Sequence, residues 1–377
     1  MNSTEAIVGI IAAIVGIIGL PIGIWFQFFR KSENQDASVM QPGMSADERE
    51  RLVRVESQLA ELQEKTAAPP EGGAPSETDA LAAQASDETE RLLAEAIELQ
   101  GKNKERDAIE RLLTAYNMEM PAEAKAQLHG LAGISFFNLS ELKEAEGHFR
   151  QALAATKEAE HRQGEATALG NLGMIYQQRG DLAKAQEHHQ QALAIKREIG
   201  DRAGQADVLS NLGLIFQRLG IFPEAEGHFQ QALVIDREIG NSLGEGKTLG
   251  NLGNTYMRQG DLAKAEDHLQ QALAITRDTG DRLGEALTLG NLGNVHPNDA
   301  AIARDYYTQA LAIQREIGDR LGEANQLGNL GLLAARTGGS DEACGRLKEA
   351  LFIYDEIGAG TEGVETVRAK LEKLGCE

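Results

Sequence analysis

A three-residue motif, Asn-Leu-Gly, recurs along this chain at a nearly constant interval. Successive copies are 40, 40, 40 and 38 residues apart. A period of this length is typical of solenoids, in which each repeat is one supersecondary unit that buries its apolar face only against its neighbours. The sequence therefore predicts a stacked array with an extended binding surface. The copies begin at Asn171, Asn211, Asn251, Asn291 and Asn329.

Each repeat is predicted to be a pair of helices. Around the third copy, apolar and small residues fall at i, i+3, i+4 and i+7 from Leu249, which places them on one helical face. Gly260 is predicted to end that helix, and Asp261 is predicted to cap the second helix. Gly253 and Ala265 are small, as two closely packed helices require.

The repeated unit resembles the tetratricopeptide repeat, whose pattern is L-G-x2-Y in the first helix and A-x3-F-x2-A in the second. The 40-residue period with its Gly-Asp-Arg connection is similar to the longer repeats of kinesin light chains and of cell-polarity adaptors. The resemblance implies an all-α, right-handed helical-repeat solenoid of about seven repeats over residues 87–358, with a capping helix within 359–377. In one copy the pattern is Leu212, Gly213, Phe216, Ala225, Phe229 and Ala232.

One copy departs from the common length. The segment His296-Pro297-Asn298-Asp299 lies in a repeat that is two residues short. We expect a tighter connection between the two helices there, because proline excludes continuation of the helix.

The N-terminal segment has a different character. Residues 7–29 carry no charge, and a helix of that length covers roughly 34 Å, enough to cross a bilayer. Arg30 and Lys31 follow directly, which by the positive-inside rule places the rest of the chain in the cytoplasm. The sequence thus predicts a transmembrane anchor over 1–31 and a single-pass membrane protein with a cytoplasmic repeat domain. A periplasmic array is the alternative if the orientation is reversed.

Three segments separate this anchor from the array. Residues 32–46 and 67–86 are predicted linkers, the second of them rich in proline and glycine. Residues 47–66 carry apolar residues at coiled-coil spacing, which predicts a short coiled-coil helix and a homo-oligomer formed through it. A solitary amphipathic helix is the alternative.

Composition limits the partners and the compartment. A net charge of -21 with 5% aromatic residues argues against nucleic acid, whose phosphates require a basic surface. Cys344 and Cys376 form no CxxC motif, so we expect no disulfide framework, a buried thiol at Cys344 and a reducing compartment.

The asparagines of the motif are the leading candidates for ligand contact. The resemblance places them in the concave groove of the solenoid, together with Asn254 and Asn294. An amide both donates and accepts hydrogen bonds, so it can pair with the backbone of an extended peptide. The alternative is that these amides bond to neighbouring helices and hold the stacking register.

Basic residues near this groove extend the hypothesis to acidic ligands. Local positive charge within an acidic protein favours an acidic peptide segment or a C-terminal carboxylate. Solvation of these side chains is the alternative reading. The residues are Arg218, Lys247, Arg258 and Arg336.

No catalytic, metal or cofactor site is predicted. Equivalent positions in stacked repeats are roughly 8–10 Å apart, too far for the recurring histidines to share a zinc ion. Motifs such as a P-loop, HExxH or a nucleophile elbow do not occur. The recurring histidines are His148, His188, His228 and His268.

We predict a scaffold or assembly factor that binds extended peptide segments, acidic ones among them. The alternatives are a regulatory sensor of a small signalling peptide and a non-catalytic enzyme subunit.

Overall fold

A computed structural model describes residues 77–116, 120–358 and 362–376, and all regular structure within these ranges is helical. The helices of these ranges are α1 (Glu77–Gly101), α2 (Glu105–Tyr116), α3 (Ala122–Asn138), α4 (Leu142–Glu158), α5 (Arg162–Gln178), α6 (Leu182–Glu198), α7 (Arg202–Arg218), α8 (Phe222–Ile239), α9 (Ser242–Gln259), α10 (Leu262–Thr279), α11 (Arg282–Val295), α12 (Ala300–Ile317), α13 (Arg320–Arg336), α14 (Ser340–Glu356) and α15 (Glu362–Leu374).

The structure contradicts the predicted localisation as a single-pass membrane protein with a cytoplasmic repeat domain. Across the fifteen helices described above, none is both long enough and apolar enough to cross a membrane. Their sequences interleave apolar with polar residues, as expected of helices that bury one side only. The predicted anchor at 1–31, the linker at 32–46 and the coiled-coil helix at 47–66, with the homo-oligomer assigned to it, lie outside the described residues.

Part of the second predicted linker is helical. It was predicted over 67–86, whereas α1 begins at Glu77. The segment from Glu77 onwards is rich in alanine, glutamate and leucine, which favour helix, and it contains neither proline nor glycine before Gly101.

The described residues form two compact units, which divide between Glu141 and Leu142. In the first unit, α1, α2 and α3 contribute to a core that includes Leu92, Leu112 and Leu128. In the second unit, α4 precedes five helix pairs, α5–α6 to α13–α14, and α15 follows them. We call the members of each pair its first and second helix. This architecture confirms the predicted all-α helical-repeat solenoid.

Glycine and aspartate set the ends of the helices as the sequence predicted. Gly260 and Gly280 adopt left-handed backbone conformations, with φ of 84° and 69°, and end α9 and α10. The Asp261 carboxylate accepts a hydrogen bond from the Lys264 backbone N–H at 3.2 Å, which caps α10. The glycine that ends α9 is therefore followed directly by the aspartate that caps α10, and these two residues alone connect the helices.

Within a pair, the two helices meet at a glycine. A Cβ placed on Gly253 would lie 2.6 Å from Cγ of Leu269, and one placed on Gly213 would lie 2.6 Å from the Phe229 ring. Ala265 is fully buried beside this contact. A larger side chain at the glycine would force the helices apart, as the sequence predicted.

The irregular repeat differs from the prediction of a tighter connection. Helix α11 ends at Val295 and α12 begins at Ala300, so four residues join them, whereas Gly260 and Asp261 alone join α9 to α10. Pro297 accounts for the difference, because it disfavours helical backbone at the preceding residue and cannot donate a helical hydrogen bond. The repeat is therefore shorter because its first helix, α11, is shorter: it has 14 residues, whereas the equivalent helices α9 and α13 have 18 and 17.

The cysteines correct a second expectation. Cys344 and Cys376 form a disulfide with a Cα–Cα distance of 5.7 Å, so the predicted free thiol at Cys344 is wrong. The two residues come together because α15 folds back onto the last pair and buries Val364, Val367 and Leu371. Sequence spacing could not reveal that return. Since disulfides persist in oxidising surroundings, the expected reducing compartment loses its support.

One core position holds a histidine in place of a large apolar residue. His189 of α6 is fully buried, and both of its ring nitrogens lack a hydrogen-bond partner among the described residues. The equivalent residues 40 positions before and after it are Phe149 and Phe229. Burial, together with the charge of His188, lowers the pKa of His189 to about 4.

We predict that His189→Phe stabilises the protein and removes an acid sensitivity. The unfolded chain takes up a proton near pH 6.5, whereas the folded chain does so only near its lowered pKa of about 4. In wild type, stability should therefore be intact above pH 6.5 and fall as the pH drops to 4, by about 3 kcal/mol at most. Guanidinium unfolding between pH 7 and pH 4 measures this. The prediction would be contradicted if the free energy of unfolding of the variant depended on pH in the same way as that of wild type.

We predict that the disulfide holds α15 against α14. Reduction should lower the stability of this end of the array by about 2–4 kcal/mol, because the bond closes a loop between residues separated by 32 positions. Hydrogen exchange of the α15 amides with and without dithiothreitol measures the effect. The Cys344→Ser, Cys376→Ser double variant is the control and should not respond to the reductant. Equal protection of α15 in oxidised and reduced wild type would refute the prediction.

Candidate functional site

The exposed sides of the first helices form the candidate site. In α9 this side carries Leu243, Lys247, Asn251, Asn254 and Arg258, all exposed or half-buried. The corresponding positions of α5, α7, α9, α11 and α13 are called the first-helix surface below.

Neighbouring first helices touch one another, so their exposed sides are continuous. The Gln217 amide of α7 donates to the hydroxyl of Thr255 in α9 at 2.9 Å. The Ser210 hydroxyl of α7 lies 3.4 Å from that of Thr248 in α9. Further on, the side chain of Gln326 in α13 lies against Gly290 of α11.

The five asparagines of the Asn-Leu-Gly motif are called the asparagine ladder below, and four of them have side-chain amides without a hydrogen-bond partner among the described residues. All five are half-buried on the first-helix surface. The side chains of Asn171, Asn211, Asn251 and Asn291 make no hydrogen bond to any described residue. Asn329 differs, since its amide donates to Oε1 of Gln326 at 3.3 Å. Both residues belong to α13, so among the described residues no amide of these five asparagines has a hydrogen bond to a neighbouring helix that would hold the stacking register.

The two additional asparagines differ from each other. The Asn254 side chain makes no hydrogen bond within the described ranges. In α11, the Tyr307 hydroxyl donates to Oδ1 of Asn294 at 2.8 Å, which orients that amide.

Bare backbone lies beside the ladder. A Cβ added to Gly170 or Gly250 would meet nothing within 4 Å, so packing does not require glycine at either position. Glycine within a helix costs roughly 0.5–1 kcal/mol relative to alanine. Its presence next to the free amides leaves room for a ligand to approach the helix closely. Gly290 is different, because its Cβ would lie 2.7 Å from the Gln326 amide nitrogen.

Two of the predicted basic residues link the repeats. Arg218 donates to the backbone carbonyl of Gln177 at 2.9 Å, and Arg258 donates to that of Gln217 at 2.8 Å. Both carbonyls lie in the last turn of the preceding first helix, and each also accepts the backbone N–H of the glycine after that helix, Gly180 or Gly220. Lys247 and Arg336 form no ion pair within 4.0 Å in the described part of the chain, and both are exposed.

The recurring histidines pack on aromatic rings. The ring of His188 lies 5.0 Å from that of Tyr176, and the ring of His268 lies 5.1 Å from that of Tyr256, between centroids. Burial lowers the pKa of His148 and of His228, which favours their neutral forms. No group of three or more candidate ligands is positioned for a metal ion within the described ranges. The sequence showed the recurrence of these histidines but not their aromatic partners.

Four exposed leucines were not among the predicted site residues. They belong to the first two turns of the last three first helices, and their side chains are 42–52% exposed. The sequence did contain a signal, because leucine follows the first residue of each of these helices. The four are Leu243, Leu283, Leu287 and Leu321.

Comparison with known proteins identifies the repeats. The tetratricopeptide repeat family matches residues 123–198, 164–238, 204–278 and 244–296. The helix pairs in these ranges are therefore tetratricopeptide repeats, and the resemblance stated from the sequence is confirmed for them. No curated protein is significantly similar in sequence to this chain. The finer likeness to kinesin light chains and polarity adaptors stays a prediction.

Several solved structures share the fold. The apo form of RapI has a TM-score of 0.59 and 15% identity, over 72% of this chain and 100% of that one. A Rap protein complexed with Competence and Sporulation Factor has a TM-score of 0.55 and 13% identity, over 86% and 93% of the two chains. The apo quorum sensor NprR from B. thuringiensis has a TM-score of 0.54 and 14% identity, over 78% and 82%. At these identities the likeness concerns the fold alone.

We predict opposite effects on stability for two glycines of α9. Gly250→Ala should stabilise the protein by about 0.5–1 kcal/mol, because its Cβ would enter open space. Gly253→Ala should destabilise it by about 1–3 kcal/mol, because its Cβ would lie 2.6 Å from the Leu269 side chain. Guanidinium unfolding of both variants measures the pair. Equal shifts would show that the two positions do not differ in this way.

Proposed function

We propose that the second unit binds extended peptide segments of partner proteins along the first-helix surface, and that the chain acts as a scaffold or assembly factor. The observation that carries the proposal is the row of unbonded amides at Asn171, Asn211, Asn251 and Asn291. A half-buried amide without a protein partner has a donor and an acceptor available to a peptide backbone. Repetition of the same group in successive repeats suits a ligand that is itself repetitive, as a polypeptide backbone is.

The bare glycines support the same ligand. Gly170 and Gly250 lie on the surface next to ladder asparagines, and nothing in the fold occupies the space above them. A backbone can approach such a position more closely than it could approach a side chain. Amides and glycines recognise ligands without reacting with them, so the proposal assigns binding and no catalysis.

Two of the four predicted basic residues are available to bind an acidic segment. Arg218 and Arg258 already donate to carbonyls of the preceding repeat. Lys247 and Arg336 are exposed without an ion pair within 4.0 Å among the described residues. We therefore assign the contact with an acidic side chain or a terminal carboxylate to Lys247 and Arg336.

A regulatory sensor is the second candidate. It is favoured by the solved structures of similar fold, since one is a Rap protein complexed with Competence and Sporulation Factor and another is a quorum sensor. In a sensor the bound ligand would alter the packing between repeats, whereas a scaffold would keep it. Small-angle scattering of the full chain with and without a short bound peptide separates the two, because only the sensor should change its profile.

We predict that alanine at Asn211, Asn251 and Asn291 together weakens peptide binding at least tenfold. Three hydrogen bonds of about 0.5–1.5 kcal/mol each would be lost. Peptides selected with the full wild-type chain from a random library displayed on phage would be synthesised and titrated by calorimetry.

The control removes the same number of amides from the second helices. Alanine at Gln190, Gln230 and Gln270, all exposed, should leave the affinity unchanged. The proposal fails if the two triple variants bind the selected peptides equally well.

A further inference from the structure

A row of exposed leucines crosses one end of the first-helix surface. Leu243, Leu283 and Leu321 occupy equivalent positions in the first turns of α9, α11 and α13, and their side chains are 42%, 48% and 42% exposed. Leu287 lies one turn further along α11 and is 52% exposed. In α5 the equivalent first-turn position is held by Gln163. We call these four residues the leucine row.

Packing within the chain does not account for this row. Leu249 and Leu289 line the core between the helix pairs and are buried, whereas Leu243 and Leu283 belong to no core cluster of the described residues. Adjacent exposed leucines on a monomer are typical of an interaction site. Burial of apolar side chains is a main source of binding affinity, so three leucines together can dominate the affinity for a short ligand.

The spacing expected between neighbouring first helices suits one conformation of a bound chain. Contacting helices are about 8–10 Å apart, and the three first-turn leucines lie on successive first helices. A polyproline II segment rises about 3.1 Å per residue and has three residues per turn, so side chains at i, i+3 and i+6 share one face about 9 Å apart. A β-strand cannot match this, because residues three apart point to opposite faces.

The polar neighbours indicate the charge of the ligand. Lys247 lies one helical turn after Leu243, exposed and without an ion pair within 4.0 Å in the described ranges. The equivalent residue of α13 is Asn325, whose Oδ1 accepts a hydrogen bond from the Tyr354 hydroxyl at 2.7 Å. The exposed Asp207, at the equivalent position of α7, interacts electrostatically with Lys247 but forms no ion pair with it within 4.0 Å. An acidic side chain of the ligand would therefore share Lys247 with Asp207, next to the apolar contacts.

We propose that the leucine row binds a partner peptide in the polyproline II conformation. This peptide carries apolar side chains at every third position and an acidic residue that pairs with Lys247. The inference rests on the proposed function, because it specifies the ligand of the same surface. The asparagine ladder contacts the peptide backbone and gives little selectivity, whereas the leucine row selects the sequence.

Three fluorescein-labelled synthetic peptides of equal length test the proposal against the full chain. The first has leucine at every third position, one glutamate, and proline and alanine elsewhere. The second has the same composition with leucine at every second position, and the third has serine in place of leucine. Fluorescence anisotropy should give the first peptide an affinity at least tenfold higher than that of either other. Equal binding of the first two would overturn the spacing argument.

Variants locate the contact. The double variant Leu243→Gln, Leu283→Gln replaces two leucines of the row by glutamine, the residue type that α5 has at the equivalent position, Gln163. It should weaken binding of the first peptide at least tenfold. Val234→Gln is the control, since Val234 is 55% exposed on the second helix α8, and it should have no effect. Lys247→Glu should weaken binding of the first peptide several-fold. Replacing the glutamate of the peptide by lysine should restore its affinity for this variant. The proposal is overturned if the leucine double variant binds like the control, or if exchanging the two charges restores nothing.

The two proposals fail in different ways. If the triple asparagine variant loses the library-selected peptides while the leucine double variant keeps both those and the first peptide, surface binding stands and the leucine row is wrong. If neither variant changes any affinity, both proposals are wrong.

Discussion

The contact between a glycine on each first helix and a large side chain on its second helix determines the geometry of the second unit. At Gly213 and Phe229, and at Gly253 and Leu269, the missing Cβ leaves the space that the opposing side chain fills. Because interiors are close-packed, this contact fixes the distance between the two helices of a pair. The side of each first helix that faces away from this contact is exposed. Gly250, about one helical turn before Gly253, lies outside the contact, and an added Cβ there would meet nothing within 4 Å. Two glycines three residues apart in α9 thus have opposite roles.

Variation inside the repeats shows how the fold accommodates polar residues in its interior. Lys196 donates to the N-cap Asp201 at 2.6 Å, whereas the equivalent buried Asp236 accepts from the N-cap Asn241 at 2.8 Å. Burial raises the pKa of Asp236, and an amide cap avoids placing a second carboxylate beside it. The buried residue and its cap therefore change together. His189 has no such compensation, because both its nitrogens lack partners.

The sequence predicted what local chemistry and the period determine. Helix ends at Gly260 and Asp261 followed from backbone preferences, and the repeats followed from the recurring motif. It failed where the outcome depends on tertiary structure, since nothing local shows that Cys376 returns to Cys344. At the candidate site the ladder asparagines could be named in advance. Leu243 and its equivalents could not, because an apolar residue in an amphipathic helix is normally assigned to the core.

The distribution of charge favours the first-helix surface as the place where a ligand binds. Arg282 pairs with Glu316, and Arg320 with Glu356, both at 2.5 Å, along one edge of their helix pairs. Exposed ion pairs of this kind add little stability, but they occupy charges that would otherwise attract ligands unselectively. In the α9–α10 pair the first-helix residue of this bridge is Ser242, which carries no charge. The repeat that contains both Leu243 and Lys247 is therefore one that lacks this ion pair at its edge, and Lys247 is an exposed cation of its first helix without an ion pair within 4.0 Å among the described residues.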